Sequence, residues 1–126
     1  MVRLSAFAFL GAAVLAAPTD ARQPISVSLA ECSAIYGEMS GFTSAGSTPE
    51  RKAKAAALSV AFRDEAVAEA TREKVADPQA HVGDWLARHE AKWSAQIRDV
   101  TRLSETKDWI DYCKALGRDR GVAGTN

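Results

Sequence analysis

The stretch DPQAHVGDWLARHEAKWSAQIRDVTRL, residues 77–103, decides the fold class of this chain. Asp77 and Pro78 are typical of a helix start, because an aspartate side chain can accept a hydrogen bond from the first turn and proline fits the first helical position. The following apolar and aromatic side chains recur at spacings of three and four residues, the period of one helix face: Val82, Leu86, His89, Trp93, Ile97, Val100 and Leu103. The stretch therefore predicts a long amphipathic helix.

A first helix is predicted before it, from about Leu29 to Ser40. Ser28 and Glu31 have the spacing of a capping box, in which the serine side chain caps the helix and the glutamate reaches back to the serine N–H. The residues of its apolar face are again three and four apart: Leu29, Cys32, Tyr36 and Met39.

The second helix is predicted from Pro49 to about Ala76, with Ser47 or Thr48 as its cap. Asp64 falls within the expected packing face, where a carboxylate is costly unless it is paired. The other residues of that face are small: Ala53, Ala56, Ala57, Val60, Val67, Thr71 and Val75. The opposite side is apolar as well, which makes it a candidate surface for contact with another molecule; it carries Leu58 and Phe62.

A fourth helix is predicted between a Ser104 cap and Gly117, and it is carried by Trp109, Tyr112, Cys113 and Leu116. The sequence leaves open whether this helix is separate from the third, because the LSET stretch between them gives only a moderate signal for a break. No segment alternates convincingly with the period of a strand. We predict an all-α fold, a small antiparallel helical bundle of three to four helices over residues 22–117, and a flexible tail over 118–126.

The first 21 residues have the pattern of a cleaved export signal. Arg3 gives a basic start, and the apolar run Leu4–Leu15 ends shortly before Pro18. A membrane-spanning helix needs roughly 20 apolar residues, so the shorter run is more typical of a signal peptide. Cleavage is expected after Ala21, with Ala16 as the alternative. We therefore expect a periplasmic or secreted protein with no stable membrane anchor after cleavage.

Cys32 and Cys113 are the two cysteines of the chain, and each lies on the apolar face of a terminal helix. An oxidising compartment would allow a disulfide between neighbouring first and last helices. A lipid anchor on Cys32 is disfavoured, because Glu31 precedes it where a small residue is required. A redox pair usually has the Cys-x-x-Cys spacing, and free or intermolecular thiols are the other alternative.

Neither the charge balance nor the ionisable side chains indicate catalysis or nucleic-acid binding. Lysine plus arginine total 16, as do aspartate plus glutamate, so the chain has no bulk attraction to nucleic acid. His81 and His89 do not form a metal site on one helix by themselves, and Trp93 stands where an H-E-x-x-H motif would have its second histidine. We expect no metal and no other cofactor.

These observations favour a non-enzymatic accessory protein that binds another protein of unknown identity. The candidate binding surface comprises Leu58, Phe62 and Trp85. The alternative is a small-molecule or metal binder with a pocket near Trp85, His89 and Trp93, because aromatic side chains often line ligand sites.

Overall fold

The computed structural model describes residues 23–43 and 46–125. This part of the chain forms α1 (Ile25–Ser40), α2 (Pro49–Arg72), α3 (Pro78–Gln96) and α4 (Leu103–Asp119), with a 3₁₀ turn at Val100–Arg102. The all-α prediction is confirmed, and α3 and α4 are separate helices. The predicted signal peptide, residues 1–21, lies outside the described residues. None of the described helices has both the length and the apolar character needed to cross a membrane.

The central helix of the fold is α1, which is buried from residue 26 to residue 36. A reciprocal serine pair brings it close to α2: Ser33 Oγ donates to the Ser59 carbonyl at 2.6 Å, and Ser59 Oγ donates to the Ser33 carbonyl at 2.8 Å. Gly37 lies one turn later, where an added Cβ would be 3.2 Å from Ser59 Oγ. Small side chains thus allow the two helices to approach closely.

A disulfide joins Cys32 of α1 to Cys113 of α4, with 5.6 Å between the Cα atoms. This confirms the predicted pairing, and both cysteines are fully buried. Trp93 of α3 packs edge to face against Trp109 of α4, with ring centroids 6.4 Å apart. The last helix is therefore attached to both α1 and α3.

The predicted caps of α2 and α3 are confirmed, but the predicted start of α1 is wrong. Thr48 Oγ1 accepts a hydrogen bond from the Arg51 N–H at 3.1 Å, and Asp77 Oδ1 accepts one from the Ala80 N–H at 3.2 Å. In contrast, α1 begins at Ile25 and continues through the predicted capping residue.

Ser28 and Glu31 are buried inside α1, so neither belongs to a capping box. The cap of α1 comes instead from the residue after α2. Glu73 Oε2 accepts a hydrogen bond from the Ser26 N–H at 3.1 Å, and Glu73 Oε1 accepts one from the Ser26 hydroxyl at 2.6 Å. A tertiary contact replaces the local motif.

The packing face of α2 also differs from the predicted one. Val60, on the predicted face, is 50% exposed, and Asp64 is exposed to solvent. Phe62 is fully buried and Leu58 is 6% exposed. These bulky side chains remove more apolar area from water than the alanines would, so they decide which face turns inward. Leu58 and Phe62 pack in the core, which corrects their assignment to an open binding surface.

Residues 118–125 belong to the folded domain, which corrects the expectation of a flexible tail for this part of the chain. The chain turns at Gly121, whose φ is 69°, and Val122 and Thr125 are buried. An added Cβ at Gly117 would lie 2.5 Å from Thr125 Cγ2. Gly117, expected to end α4, instead makes room inside the helix for the returning chain.

Candidate functional site

A cleft of about 460 Å³ lies between α1, α2 and α4. Its floor is formed by largely apolar side chains that are buried or half-buried: Tyr36, Met39, Ala55 and Leu58. Four exposed basic side chains surround this floor, Arg51 and Lys54 from α2 and Lys114 and Arg118 from α4. Gly124 and Thr125 of the returning chain complete the lining. Leu58 therefore contacts the cleft only through its small exposed edge.

The described residues that line this cleft include no acidic side chain. Lys54, Lys114 and Arg118 have no ion pair within residues 23–43 and 46–125. Arg51 donates a hydrogen bond to the Gly46 carbonyl at 3.1 Å. Since the whole chain has 16 basic and 16 acidic residues, the single sign of charge around the cleft is a local property.

One acidic side chain, Asp111, lies near the cleft without lining it. Its carboxylate pairs with Lys107 at 2.9 Å. The hydrogen bond from Lys107 lowers the pKa of Asp111, and the charge of Lys114 lowers it further. Asp111 is therefore ionised at neutral pH and engaged chiefly with Lys107, which lies outside the cleft.

Tyr36 supplies a neutral phenol to the floor. Its ring stacks on Phe62, with centroids 5.6 Å apart and an angle of 12° between the planes. Burial raises the pKa of Tyr36, and the Asp111 carboxylate raises it further. The hydroxyl thus stays protonated at neutral pH, a state in which it can donate a hydrogen bond to an anion.

A second cleft of about 320 Å³ adjoins the first and shares Met39, Arg51 and Ala55 with it. The additional residues that line it are Phe42, Gly46, Ser47 and Lys52. The guanidinium of Arg98 lies 5.3 Å from the centroid of the Phe42 ring. The basic and apolar lining therefore continues beyond the first cleft as one groove.

The region predicted as an alternative ligand pocket contains a buried carboxylate, Glu31, which is 1% exposed. Glu31 accepts hydrogen bonds from Trp93 Nε1 at 2.8 Å, from Lys92 Nζ at 2.7 Å and from Gln23 Nε2 at 3.1 Å. His89 Nδ1 is 3.6 Å from Glu31 Oε1. These donors offset the cost of burying a charge, which amounts to several kcal/mol for an unpaired ion.

Trp85 stacks on His89 with ring centroids 5.4 Å apart, and Arg88 lies 4.8 Å from the centroid of the Trp85 ring. Burial lowers the pKa of His89, against the opposite effect of Glu31. Within the described residues, no group of three or more His, Cys, Asp or Glu side chains is placed to hold a metal ion. The side chains of Trp85, His89 and Trp93 are all in contact with other protein groups.

Sequence reasoning missed the four basic residues of the cleft. Arg51 and Lys54 are three residues apart and Lys114 and Arg118 are four apart, so each pair shares one face of its helix. That spacing predicts that the two basic residues of each pair lie on the same face of their own helix. It does not show that both pairs surround one cleft, because this depends on how α4 packs against α1.

Comparison of the chain with protein-family models, with curated proteins and with solved structures finds no match.

The lining groups of the cleft are suited to binding an anion. Guanidinium groups can hold a carboxylate through two parallel hydrogen bonds, and ammonium groups attract it as point charges. The apolar floor can add affinity by removing hydrocarbon from water.

Proposed function

We propose that the protein is an exported, non-enzymatic binding module that holds an acidic segment of another protein in this cleft. One observation carries the proposal: basic side chains from two helices surround an apolar floor, and no acidic side chain is among the described lining residues. Charges of one sign around a cleft attract and orient a partner of the opposite sign.

The magnitudes indicate that the basic side chains attract and orient the partner, whereas burial of apolar surface keeps it bound in the cleft. An exposed ion pair contributes about 0.2–1 kcal/mol and is weakened by salt. Four such pairs alone would give weak binding, and contact with the floor can add to it. The expected complex is therefore sensitive to salt without depending on charge alone.

Export is part of the same proposal. The Cys32–Cys113 disulfide is consistent with an oxidising compartment, and the run Leu4–Leu15 after Arg3 is typical of a signal peptide. The intact mass of the protein from an exported fraction tests this part. We expect a chain that begins after Ala21 or Ala16, whereas a mass that includes residues 1–21 would contradict export by cleavage.

The binding part is tested with a short fluorescent peptide that contains several glutamates and one leucine. We expect its fluorescence anisotropy to rise with protein concentration, and the affinity to fall as salt is added. The double variant Lys54→Gln with Arg118→Gln should weaken binding. The control, Arg63→Gln with Arg88→Gln, removes two exposed basic side chains outside the cleft and leaves the Lys107–Asp111 pair beside the cleft intact. Equal losses in both variants would show a general charge effect and contradict the proposal.

A further inference from the structure

We infer that the acidic segment carries an apolar side chain, such as leucine or phenylalanine, between acidic residues, and that this side chain packs on the floor of the cleft. The inference rests on the proposed function and adds the chemistry of the partner. Its basis is the apolar floor between the two pairs of basic residues.

The floor is not required for binding carboxylates. Apolar surface in contact with water is unfavourable until another apolar group covers it. Met39 is half-buried and lines both clefts, and a methionine side chain can adapt its shape to different partners. An apolar side chain from the partner would cover this surface.

The placement of the charges indicates acidic residues on both sides of that apolar side chain. Arg51 and Lys54 belong to α2, whereas Lys114 and Arg118 belong to α4. The alkyl parts of lysine and arginine can pack on apolar surface while their charged ends stay in water. An acidic residue before and another after the apolar residue would meet both pairs, but a small molecule with one carboxylate would meet only one.

The continuation of the first cleft into a second one favours a peptide chain over a compact ligand. The second cleft continues from Met39, Arg51 and Ala55 to Phe42 and adds the basic residue Lys52. A peptide that extends from the first cleft can therefore find further basic and apolar contacts. A single fatty-acid-like molecule would not need charges along the whole groove.

Competition with defined probes tests the inference. The reference probe is the acidic peptide with a central leucine, and the others are its Leu→Gly form, its all-Glu→Gln form and decanoate. We expect the leucine peptide to bind roughly tenfold more tightly than the glycine peptide, the gain typical of burying such a side chain. Met39→Gln in the protein should reduce this difference. Val60→Gln, at an exposed apolar position of α2 outside the cleft, should leave it unchanged.

The outcomes separate this inference from the proposed function. Equal affinity of the leucine and glycine peptides, with both weakened by Lys54→Gln and Arg118→Gln, would overturn the apolar anchor and leave the binding of acidic segments intact. Failure of all acidic peptides to bind would overturn the proposed function itself. Displacement of the leucine peptide by decanoate at equal or lower concentration would overturn the peptide ligand in favour of a small amphipathic carboxylate.

Discussion

Glu73, directly after α2, accepts hydrogen bonds from both the backbone N–H and the hydroxyl of Ser26, in the first turn of α1, at 3.1 and 2.6 Å. The first N–H groups of a helix have no partner within the helix, and a carboxylate near them also interacts favourably with the helix dipole. Ser26 is fully buried in the folded protein. A residue 47 positions away in sequence thus fixes the start of the central helix.

Replacing Glu73 by alanine should lower the free energy of unfolding by about 1–2 kcal/mol, the usual effect of losing a helix cap. The N–H and the hydroxyl of Ser26 would lose their acceptor, whereas the hydrogen bond from the Glu73 N–H to the Glu69 carbonyl involves only the backbone. Urea unfolding followed by circular dichroism measures the change. Glu90→Ala, at an exposed position of α3, is the control. Equal midpoints for the two variants would show that the Glu73 cap adds nothing to stability.

The start of α1 shows why a local motif can mislead. Ser28 and Glu31 have the residue types and spacing of a capping box, but both are buried within the folded helix, which begins three residues before Ser28. The decisive partners are distant in sequence: Glu73 caps the first turn, while Trp93 and Lys92 hold Glu31. In α3 the Asp77 cap and the first part of the stripe, from Val82 to Trp93, agree with the tertiary contacts. The end of the stripe is wrong, because α3 stops at Gln96 and the side chains of Val100 and Leu103 are 82% and 64% exposed.

The cleft was beyond prediction for a similar reason. The packing face predicted for α2 follows its alanines, whereas the large side chains Leu58 and Phe62 determine which face is buried. With that face reversed, Arg51 and Lys54 lie beside the cleft that Leu58 helps to line. Periodicity gives the faces of one helix at a time, and a site between α2 and α4 needs their relative placement.

The end of α2 gives a prediction about backbone conformation. Lys74 has a φ of 63°, with hydrogen bonds from the Val75 N–H to the Ala70 carbonyl and from the Lys74 N–H to the Thr71 carbonyl, the pattern of a Schellman motif. A left-handed conformation costs a residue with a Cβ about 1 kcal/mol. Lys74→Gly should therefore stabilise the protein by up to that amount in urea unfolding. Gly121→Ala, at the corresponding left-handed position after α4, should destabilise it, and a stabilising Gly121→Ala would contradict this account.

The stability of the protein should fall as the pH is lowered below about 6.5, the ordinary pKa of histidine. Burial lowers the pKa of His89 in the folded state, Glu31 opposes this effect, and Lys92 and Arg88 reinforce it. The unfolded chain then binds a proton at a higher pH than the folded chain, so stability is lost between the unfolded and the folded pKa. The slope from one such group is at most about 1.4 kcal/mol per pH unit.

Urea unfolding between neutral and mildly acidic pH checks the role of His89. His89→Gln should remove most of this pH dependence, whatever its effect on stability at neutral pH. His81→Gln changes a half-buried histidine at the start of the same helix and should keep the slope. An unchanged slope in His89→Gln would assign the pH dependence to other groups.

The disulfide should be the largest single contribution to stability, because Cys32 and Cys113 are 81 residues apart. Closing a loop of this length stabilises a folded protein by about 4–5 kcal/mol in the chain-entropy model. The double variant Cys32→Ala with Cys113→Ala should therefore unfold at a much lower urea concentration than the oxidised protein.

The disulfide also connects the helix that carries Tyr36 to the helix that carries Lys114, so the affinity for the acidic peptide should fall in any fraction of the variant that remains helical. The oxidised protein should resist alkylation and have a mass two hydrogens below that of the dithiol. Equal unfolding midpoints for the oxidised protein and the double variant would mean that the helix contacts alone hold α4 in place.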